Sequence, residues 1–498
     1  MAKEFRSADR DQQFLIAPDI REWLSDDHLV YFVIDTIAAL DLSVFRCRAK
    51  LGGVGRQGWD PTLLVTLLIY AYAKGQRSSR RIEALCETDV AYRVITGNRP
   101  PPDHTVIARF RANHEAAFKA LFVEVLLLCT RAGMGNFGTV SIDGTKIAAN
   151  ASKKANRSED ALRAQIDRIL AEAAEVDAAE DEQFGDRRGD ELPEQFADPK
   201  TRKANIAAAW KELKAKQAQE QEANRVSAGA GIKHWQQRVR QAQARLDAAW
   251  MEADARWQAQ QAGSRGLGRK AVRPDEHSTV RRLTARLEAL QQRLAAAETK
   301  AAAPPSKTAS TVVNVTDPDS ALIPSTHGIV QGFNVQAAVT DDQLIVAVEV
   351  HDNPNDYASF VPMMTAAVEA AETVAQATGT KVRIGTVLAD AGYCNEANVT
   401  ADGPRRLIAS SKRGKARSPS PWTPPAVAAM RRRMRHPANK QTYRRRAVTV
   451  EPVFGMLKDG IGLRRFARRG QTAALAELHL GRAVHNLLKL HRFATATG

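Results

Sequence analysis

The spacing of apolar residues divides the chain into three regions. Through residue 135, apolar positions recur three and four residues apart, which predicts amphipathic helices. Between residues 155 and 303 the sequence is rich in Ala, Gln, Glu and Arg, and two heptad-like apolar seams predict long helices. After residue 304, short runs that alternate or are continuously apolar predict β-strands. The chain is therefore predicted to contain an all-α region and an α/β region, separated by a helical segment.

The first region predicts a domain of short helices. One helix is expected over residues 63–72, Ser79 is expected to cap the next, and Asp103 to cap a third that presents Arg109 and Arg111. Two short helices, a turn and a third helix with basic side chains suit a DNA reader of the helix-turn-helix type. A plain helical bundle has the same pattern, so the pattern alone favours neither interpretation.

The middle region predicts an antiparallel helical hairpin. Its two seams consist of Ile232, Trp235, Val239, Ala242, Leu246, Ala249 and Ala253, and of Val280, Leu283, Leu287, Leu290 and Leu294. Separations of three and four place each seam on one side of a helix. Residues 263–268 and Pro274 are expected to form the tip. We expect the seams to pack within the chain, with a dimer zipper as the alternative.

The strand-type runs around this hairpin predict an α/β core. They cover residues 138–143, 333–340, 344–350, 382–388 and 406–410, with a helix over 357–376 and a later helix that carries Glu451. The second and third runs are joined at Asp341-Asp342, as in a β-hairpin. Five strands with a helix between the third and the fourth have the ribonuclease H-like order. In that order the helical hairpin is an insertion between the first and second core strands.

Positive charge is concentrated at the C-terminal end of the sequence. The 498 residues carry a formal net charge of +16. Residues 402–498 contain 22 Lys and Arg against 4 Asp and Glu, a net +18, so residues 1–401 sum to −2. A block this basic is typical of a surface that neutralises phosphates, although a merely solvated surface has the same composition. Because the block surrounds Glu451, we favour a nucleic-acid partner.

Cysteine usage and the apolar runs exclude other classes. The four cysteines have no C-x-x-C spacing, which argues against a zinc site and for a reducing compartment. The first residues lack the apolar core of a signal peptide, and no apolar run reaches the roughly 18 residues of a membrane span. We therefore expect a cytoplasmic protein without a membrane partner.

Three carboxylates have the placement that metal-dependent phosphoryl transfer needs. Asp143 and Asp390 each end a strand-type run, and Glu451 lies on a later helix. Either aspartate alone could simply cap a turn, but the ends of the first and fourth strands are neighbours in the predicted sheet. Two Mg²⁺ ions about 3.5–4 Å apart require hard oxygen ligands from different elements. We therefore predict that these three residues are catalytic and hold two Mg²⁺ ions, with Mn²⁺ as the alternative metal.

Four short motifs carry a resemblance to a known family. They are Asp143-Gly-Thr-Lys146, His327-Gly-Ile-Val-Gln-Gly-Phe-Asn-Val-Gln-Ala-Ala338, Asp390-Ala-Gly-Tyr393 and Val450-Glu-Pro-Val-Phe-Gly-Met-Leu-Lys458. They resemble motifs of the DDE transposases of bacterial insertion sequences. More narrowly, they are similar to the group with a Tyr-Arg-Glu-Lys signature on a ribonuclease H-like catalytic domain. The resemblance also favours the DNA-reading interpretation of the first region.

The chain departs from this signature at one place. The signature has an Arg four residues before the Glu and a Tyr three residues before that Arg, but the residue four before Glu451 is Ala447. Tyr443 and Arg446 keep their mutual spacing and lie one residue too far upstream. Either the helix has a local irregularity, or Arg444, seven residues before Glu451, contacts the phosphate instead.

The basic block and the resemblance together predict the DNA contacts. The candidates are Arg109, Arg111, Lys146, Trp422, Tyr443, Arg444, Arg446, Lys458, Arg464 and Arg465. Lys458 follows Glu451 by two helical turns, so the two should share a helix face. Trp422 lies in a Pro-rich loop where related enzymes stack a flipped base, and packing against the domain is the alternative. Lys146 is expected either to touch phosphate or to be solvated.

The resemblance implies a transposase that binds the terminal inverted repeats of its element and target DNA as a homodimer at the nucleoid. The alternatives are a ribonuclease H-like nuclease or domesticated DNA-binding regulator without strand transfer, and a helical scaffold with incidental carboxylates. The predicted fold is an α/β ribonuclease H-like core with an all-α N-terminal domain and a coiled-coil-like helical insertion. Its domains are 1–135 (helical, DNA-binding), 136–154 (first core strand), 155–303 (hairpin insertion), 304–470 (rest of the core) and 471–498 (C-terminal helix).

Overall fold

The computed structural model of the chain describes residues 19–46, 58–164, 199–262, 271–302, 312–325, 328–410 and 423–497. The chain forms two compact units, one made of Met1–Ala155 with Thr316–Gly498 and the other of Asn156–Val315. A six-stranded sheet and many helices make the architecture mixed α/β. Trp422 and the predicted hairpin tip at 263–268 lie outside the described residues. Among the helices described, none combines the length and the apolar character needed to cross a membrane.

Among the described residues, seven α-helices form the N-terminal part of the first unit. Helices α1 to α7 span Leu29–Ala38, Ser43–Arg46, Pro61–Ala73, Ser79–Thr88, Val90–Thr96, His104–Asn113 and Glu115–Arg131. Asp103 caps α6 as predicted, because its carboxylate accepts a backbone amide in the first turn. The predicted cap at Ser79 is wrong by one residue, since the hydroxyl of Ser78 accepts the Arg81 amide and α4 begins at Ser79.

Eight strands occur in the described residues. In chain order they are β1 Thr139–Ala148, β2 Asn156–Arg157, β3 Val313–Asn314, β4 Ala321–Ser325, β5 Gly328–Thr340, β6 Ile345–His351, β7 Thr386–Ala389 and β8 Arg405–Ile408. The sheet of the first unit has the order β4-β5-β1-β7-β8, and β6 pairs with the second half of β5. Strand β5 is antiparallel to β1, β4 and β6, whereas β7 is parallel to β1 and β8 to β7. Strand β1 is therefore the central strand.

The central strand is longer than the sequence predicted. We expected it to end at Asp143, but it continues to Ala148 because β5 pairs with it along its whole remaining length. Strand β7 is short, and its last residue, Ala389, pairs with Ile142. Asp143 therefore lies in the middle of β1, at the point where the parallel pairing with β7 stops.

The second unit contains two long helices. Helix α8 spans Pro199–Gln261 and α9 spans Ser278–Ala302. Six seam residues pack together across the two helices: Trp235, Val239, Ala242, Leu246, Leu287 and Leu290. Because residues of both helices belong to one cluster within this chain, the seam packs within the chain.

The two short strands β2 and β3 close the base of the second unit. They are antiparallel, and Asn156 pairs with Asn314. This pairing ties residues that we assigned to the catalytic core to the second unit, which ends at Val315 and not at residue 303. The chain therefore enters and leaves this unit at one place.

Five α-helices follow where the structure describes the rest of the first unit. They are α10 Phe360–Thr378, α11 Glu396–Thr400, α12 Pro425–Arg435, α13 Pro437–Gly455 and α14 Gln471–Thr497. Helix α10 packs on β5 and β6, α13 packs on β1, β5 and β7, and α14 packs on β6, α3 and α7. Apolar residues of the N-terminal helices, the sheet and these helices belong to one hydrophobic core. The helical N-terminal residues thus share a core with the sheet instead of forming a separate domain.

Deleting the helical hairpin is expected to leave the first unit folded. Because β2 and β3 are paired, a short Gly/Ser linker from Arg157 to Val313 has to span only about 5 Å. We expect far-UV circular dichroism to lose the signal of α8 and α9 while thermal unfolding stays cooperative. The full-length chain is the reference, and a shortened chain without a cooperative transition would show that the hairpin is part of the core.

Candidate active site

Two aspartates on adjacent strands form the centre of the site. Strands β1 and β7 run parallel, and Ile142 pairs with Ala389. Asp143 and Asp390 are the next residues on the two strands, and both side chains are half-buried. Their charges interact, since the Asp390 carboxylate raises the pKa of Asp143 after the larger effect of burial. Two of the three predicted carboxylates are therefore neighbours.

One cation lies against the carboxylate of Asp143. The side chain is 18% exposed, and Oδ2 lies 2.6 Å from a guanidinium nitrogen of Arg446. Oδ1 accepts the Gly144 amide at 2.9 Å. Burial raises the pKa of Asp143 to about 6, although the Arg446 charge and the Gly144 amide lower it. The carboxyl is still mostly ionised at pH 7, and a cation beside it is strongly favoured.

Asp390 is oriented by the backbone of the turn that follows it. It caps the 3-10 turn Ala391–Tyr393, and its Oδ1 accepts the Gly392 amide at 2.7 Å. Tyr443 of α13 lies near the same charges. Its pKa is raised by burial, lowered by Arg446 and raised by the two aspartates. Tyr443 and Arg446 thus both approach the aspartate pair from α13.

Helix α13 packs over the central strand and carries the third predicted carboxylate. The Thr449 hydroxyl donates to Ser141 Oγ at 2.9 Å, and Val450 and Val453 are buried. Glu451, next to Val450 in the helix, is exposed. Glu451 therefore lies at the edge of the packed face of α13, and its carboxylate is exposed to solvent.

Proline 452 helps to fix the helix at this point. Pro452 has no amide hydrogen, so the Val448 carbonyl has no helical donor. Gln343, in the turn between β5 and β6, donates to that carbonyl at 2.8 Å, and Lys489 of α14 donates to the Gln343 side chain at 2.9 Å. Contacts from two other elements thus hold the segment that carries Glu451.

The three predicted metal ligands are not equally placed. Within the described residues, the carboxylate oxygens of Asp143, Asp390 and Glu451 do not all lie within 4.8 Å of one another. The two aspartates are adjacent, Arg446 occupies one oxygen of Asp143, and Glu451 is exposed. A third ligand from α13 therefore requires that Glu451 move toward the aspartates.

The shifted signature residues reach the aspartates in spite of their spacing. Helix α13 is regular from Pro437 to Gly455, so it contains no irregularity before Glu451. Tyr443 and Arg446 are one turn apart on its inner side, whereas Arg444 is exposed. The side of α13 that faces the sheet carries Tyr443, Arg446 and Val450, and Glu451 is the next residue outside it. The helix is regular, so the one-residue shift lies in the sequence and not in the helix geometry.

Lys458 lies beyond the end of α13. It belongs to the π-helical turn Met456–Gly460, where burial lowers its pKa. A π-turn has more residues per turn than an α-helix. The expected shared face of Glu451 and Lys458 assumed regular α-helical spacing, which ends before Lys458.

A fourth carboxylate, which the sequence analysis missed, lies beside the pair. Three donors converge on Oδ1 of Asp356. They are Asn334 Nδ2 at 2.8 Å, Gln336 Nε2 at 3.0 Å and Lys146 Nζ at 3.1 Å. Oδ2 of Asp356 and Oδ1 of Asp390 both lie within 4 Å of the point that a Cβ atom on Gly392 would occupy. Lys146 is therefore engaged by Asp356 and is not simply solvated.

Gln336 connects this carboxylate to a buried tyrosine. Tyr393 is fully buried, and its hydroxyl donates to Gln336 Oε1. Gly144 leaves the necessary space, because a methyl group there would overlap the Gln336 amide and lie 2.9 Å from Oδ1 of Asp356. Successive residues of a strand point to opposite faces. The network therefore supports β1 on the face opposite the Asp143 side chain.

The sequence contained one signal for this network. Asn334 and Gln336 alternate with apolar residues in β5, and both are completely buried. Buried amides need hydrogen-bond partners, so their shared face predicts a polar group opposite them. That this group is Asp356, in the loop after β6, depends on how the chain folds.

A basic loop runs beside the central strand. The Ala148 amide donates to the Arg464 carbonyl at 3.1 Å, and the Phe466 amide donates to the Ala148 carbonyl at 2.8 Å. The side chains of Arg464 and Arg465 are exposed, and Arg464 pairs with Asp459. Both arginines thus lie on the surface next to the strand that carries the first aspartate.

The two predicted arginines of α6 have different environments. Arg109 is exposed. Arg111 is half-buried and donates to the Arg77 carbonyl at 2.8 Å and to the Tyr72 hydroxyl at 3.2 Å. Arg111 therefore holds α6 against α3 and the following loop, and a DNA contact stays a prediction for both residues.

The aspartate pair fits a divalent cation. Adjacent carboxylates offer the hard oxygen ligands that Mg²⁺ and Mn²⁺ prefer. A separate group in the N-terminal helices, Glu83, Asp103 and His104, has its ligand atoms within 4.8 Å of one another. There, His104 Nδ1 is 2.8 Å from Glu83 and Asp103 caps α6, so these atoms already serve bonds within the protein.

Two family models match parts of the chain. A transposase domain model (DUF772) matches residues 18–113, which cover most of the N-terminal helices. A transposase DDE domain model matches residues 391–491, which begin one residue after Asp390 and include Glu451. No curated protein and no solved structure matches the chain.

Replacing Asp356 by Asn is expected to destabilise the first unit. The substitution removes the charge on which three donors converge, and a hydrogen bond to a charged group contributes about 1.5–3 kcal/mol. Urea unfolding would measure the change in the free energy of unfolding. Asp26→Asn, at an exposed position of the same unit, is the matched control with an expected change within about 0.5 kcal/mol. Equal effects of the two substitutions would contradict the supporting role of Asp356.

Proposed function

Since both family matches identify the chain as an insertion-sequence DDE transposase, a metal-dependent enzyme that cuts and transfers DNA, we propose that it joins the terminal inverted repeats of its element to target DNA. The proposed reaction is phosphoryl transfer with two Mg²⁺ ions, and Mn²⁺ is the alternative metal. Its ligands are Asp143, Asp390 and Glu451. The observation that carries the proposal is the parallel register of β1 and β7, after which the two aspartates follow side by side.

We also propose that the core is ribonuclease H-like. Without β4, the strand order across the sheet is β6-β5-β1-β7-β8. The first and fourth of these strands in sequence, β1 and β7, are neighbours and run parallel. Helices α8 and α9 lie in sequence between β1 and β5, which supports an insertion between the first and second core strands.

The chemistry divides between the metal and the side chains. Asp143 and Asp390 would hold the Mg²⁺, which would supply a lower pKa for the attacking water or 3′-hydroxyl and stabilisation of the leaving oxygen. Asp143 and Asp390 supply anionic oxygens from fixed positions. The Gly144 amide donates to Asp143, and the Gly392 amide donates to Asp390. Glu451 completes the set from α13.

Arg446 is proposed to exchange partners during the reaction. Its guanidinium neutralises Asp143 within the protein, and the same planar group is suited to binding phosphate with two hydrogen bonds. Arg446 would leave Asp143 for a phosphate of the bound DNA, beside the hydroxyl of Tyr443. Lys146 stays with Asp356 and helps to orient the loop behind the aspartates.

DNA binding is proposed to divide between two surfaces. The basic C-terminal segment grips the backbone through Arg444, Lys458, Arg464 and Arg465, and the N-terminal helices α4 to α6 choose the repeat through Arg109 and Arg111. Trp422 remains the candidate for stacking a flipped base. Two element ends have to be joined in one event, which supports a homodimer acting at the nucleoid.

The substitutions Asp143→Asn, Asp390→Asn and Glu451→Gln are each expected to abolish cleavage and strand transfer. Each removes an anionic ligand oxygen without changing side-chain size, so the transition-state charge loses metal support. The expected loss is on the order of 10³-fold or more. Mg²⁺-dependent nicking of a terminal-repeat duplex measures it, and binding of the same duplex in EDTA should be nearly unchanged.

Glu396→Gln is the control for this series, because Glu396 is an exposed acid of the same unit outside the site. It should nick DNA like the unmodified chain. Near-normal nicking by one of the three variants would remove that residue from the proposed ligand set.

The double substitution Arg464→Ala with Arg465→Ala is expected to weaken binding to all DNA sequences equally. The slope of log K against log salt should fall by about 1–2, as two phosphate contacts disappear. Arg109→Ala should instead narrow the difference between terminal-repeat and random DNA by about 1–3 kcal/mol if a base contact is lost.

Titrations of both duplexes at several salt concentrations measure these two effects separately. Arg109 is preferred to Arg111 for this test because loss of the Arg111 bonds to Tyr72 and Arg77 would also disturb the fold. If the C-terminal pair altered discrimination and Arg109 altered only the salt slope, the two roles would be reversed.

A further inference from the structure

The long helices of the second unit are basic although their packing does not require positive charge, whereas the whole unit, residues 156–315, carries 27 Lys and Arg against 24 Asp and Glu. Residues 199–302 contain 21 Lys and Arg against 10 Asp and Glu, a net +11. The contacts between α8 and α9 are made by apolar residues at helical spacing. The excess of cations therefore lies outside the seam, on the surface of the helical hairpin.

Arginines from both helices gather around one tryptophan. The guanidinium carbon of Arg238 lies 4.9 Å from the centre of the Trp235 ring, and that of Arg293 lies 5.6 Å from it. Arg286 lies two helical turns before Arg293, on the same face of α9. Burial and the charges of Arg293 and Arg286 lower the pKa of Arg238, so both of these charges act on it. We call Arg238, Arg286 and Arg293 the arginine cluster.

Other arginines of the same unit are paired with carboxylates. Arg225 lies 2.9 Å from Glu222, and Arg256 lies 2.6 Å from Glu252. Within the described part of the chain, Arg286 and Arg293 have no such ion pair, and both are exposed. The charges of Arg286 and Arg293 act on Arg238, and an anion bound beside these two exposed arginines would offset that repulsion.

We propose that the arginine cluster is a phosphate-binding site through which the helical hairpin grips double-stranded DNA. This inference rests on the proposed function, because it supplies a third DNA contact for the same enzyme. Guanidinium groups bind phosphate with paired hydrogen bonds. The Trp235 ring holds two of the guanidinium groups in place before binding, which reduces the entropy lost when they bind. The arginines are therefore arranged to bind an anion before it arrives. The apolar packing between α8 and α9 does not use their charge.

The test uses the full-length chain in EDTA, so that binding is measured without cleavage. The triple substitution Arg238→Gln, Arg286→Gln and Arg293→Gln is titrated with a random-sequence duplex by fluorescence anisotropy at several salt concentrations. Each lost phosphate contact lowers the slope of log K against log salt by about 0.9, so a reduction of about 2–3 is expected. Glutamine retains good helix propensity, and circular dichroism checks that the hairpin remains.

The matched control removes the same net charge from the same unit. It is the triple substitution Arg163→Gln, Arg225→Gln and Arg256→Gln, at arginines that pair with Glu159, Glu222 and Glu252. Arg163 also lies over a tryptophan ring, that of Trp210, at 5.6 Å. We expect a slope change below about 1 for this control, since these arginines already have counter-charges.

Charge-preserving substitutions distinguish a loss of phosphate contacts from a loss of the folded hairpin. Replacing the three cluster residues by Lys should retain most of the salt slope, because lysine also releases counterions from phosphate. Equal slopes for the cluster variant, the control variant and the unmodified chain would overturn the proposal. So would equal reductions in the two glutamine variants, since net charge alone would then explain binding.

The outcome for the unmodified chain distinguishes the two proposals. If the unmodified chain shows no salt-dependent DNA binding, the proposed function itself fails, and this site with it. If the unmodified chain binds and nicks DNA but the cluster variant keeps its salt slope, only the arginine-cluster site fails.

Discussion

Negative charge buried at the centre of the sheet is the constraint on which the candidate active site depends. Asp143 lies in the central strand, where loss of water raises its pKa to about 6. A carboxylate that is ionised in such a place needs cations or hydrogen-bond donors within reach. Arg446 supplies a cation on one face of β1. On the other face, Asp356 is balanced by Lys146 and two side-chain amides. In the proposed reaction, a divalent ion at the aspartates would take over the neutralisation that Arg446 supplies.

The placement of α13 follows from this constraint. The helix has to lie over β1 for Arg446 to reach Asp143, and the bond between Thr449 and Ser141 holds it there. Its inner side is then filled by Tyr443, Arg446 and apolar residues, so Glu451 is left at the margin. A catalytic role for Glu451 therefore requires that its carboxylate move toward the aspartates, which are already adjacent to each other.

Local sequence patterns predicted correctly those features that depend on residues close together along the chain. The helix spacing, the cap at Asp103 and the apolar seam of the hairpin follow from periodicity and from side-chain bonds to the nearest backbone amides. Errors of one or a few residues occurred at element ends. The cap of α4 is Ser78, and β1 runs past Asp143, because partner strands and competing hydroxyls set those ends. Surface charge was also readable from composition, but its division between paired and unpaired arginines was not.

The sequence by itself determined the element types and the family motifs, because periodicity and short motifs are local features. The expectation that Asp143 and Asp390 become neighbours came from the ribonuclease H-like order that those elements indicated. Only the tertiary structure decided which side chains surround them. Arg446 reaches Asp143 despite its shifted spacing, since contact depends on the face of α13 that packs on β1. Asp356 joins the site from a loop more than two hundred residues away from Lys146, its partner. Such contacts arise from packing between distant segments, which no local period encodes.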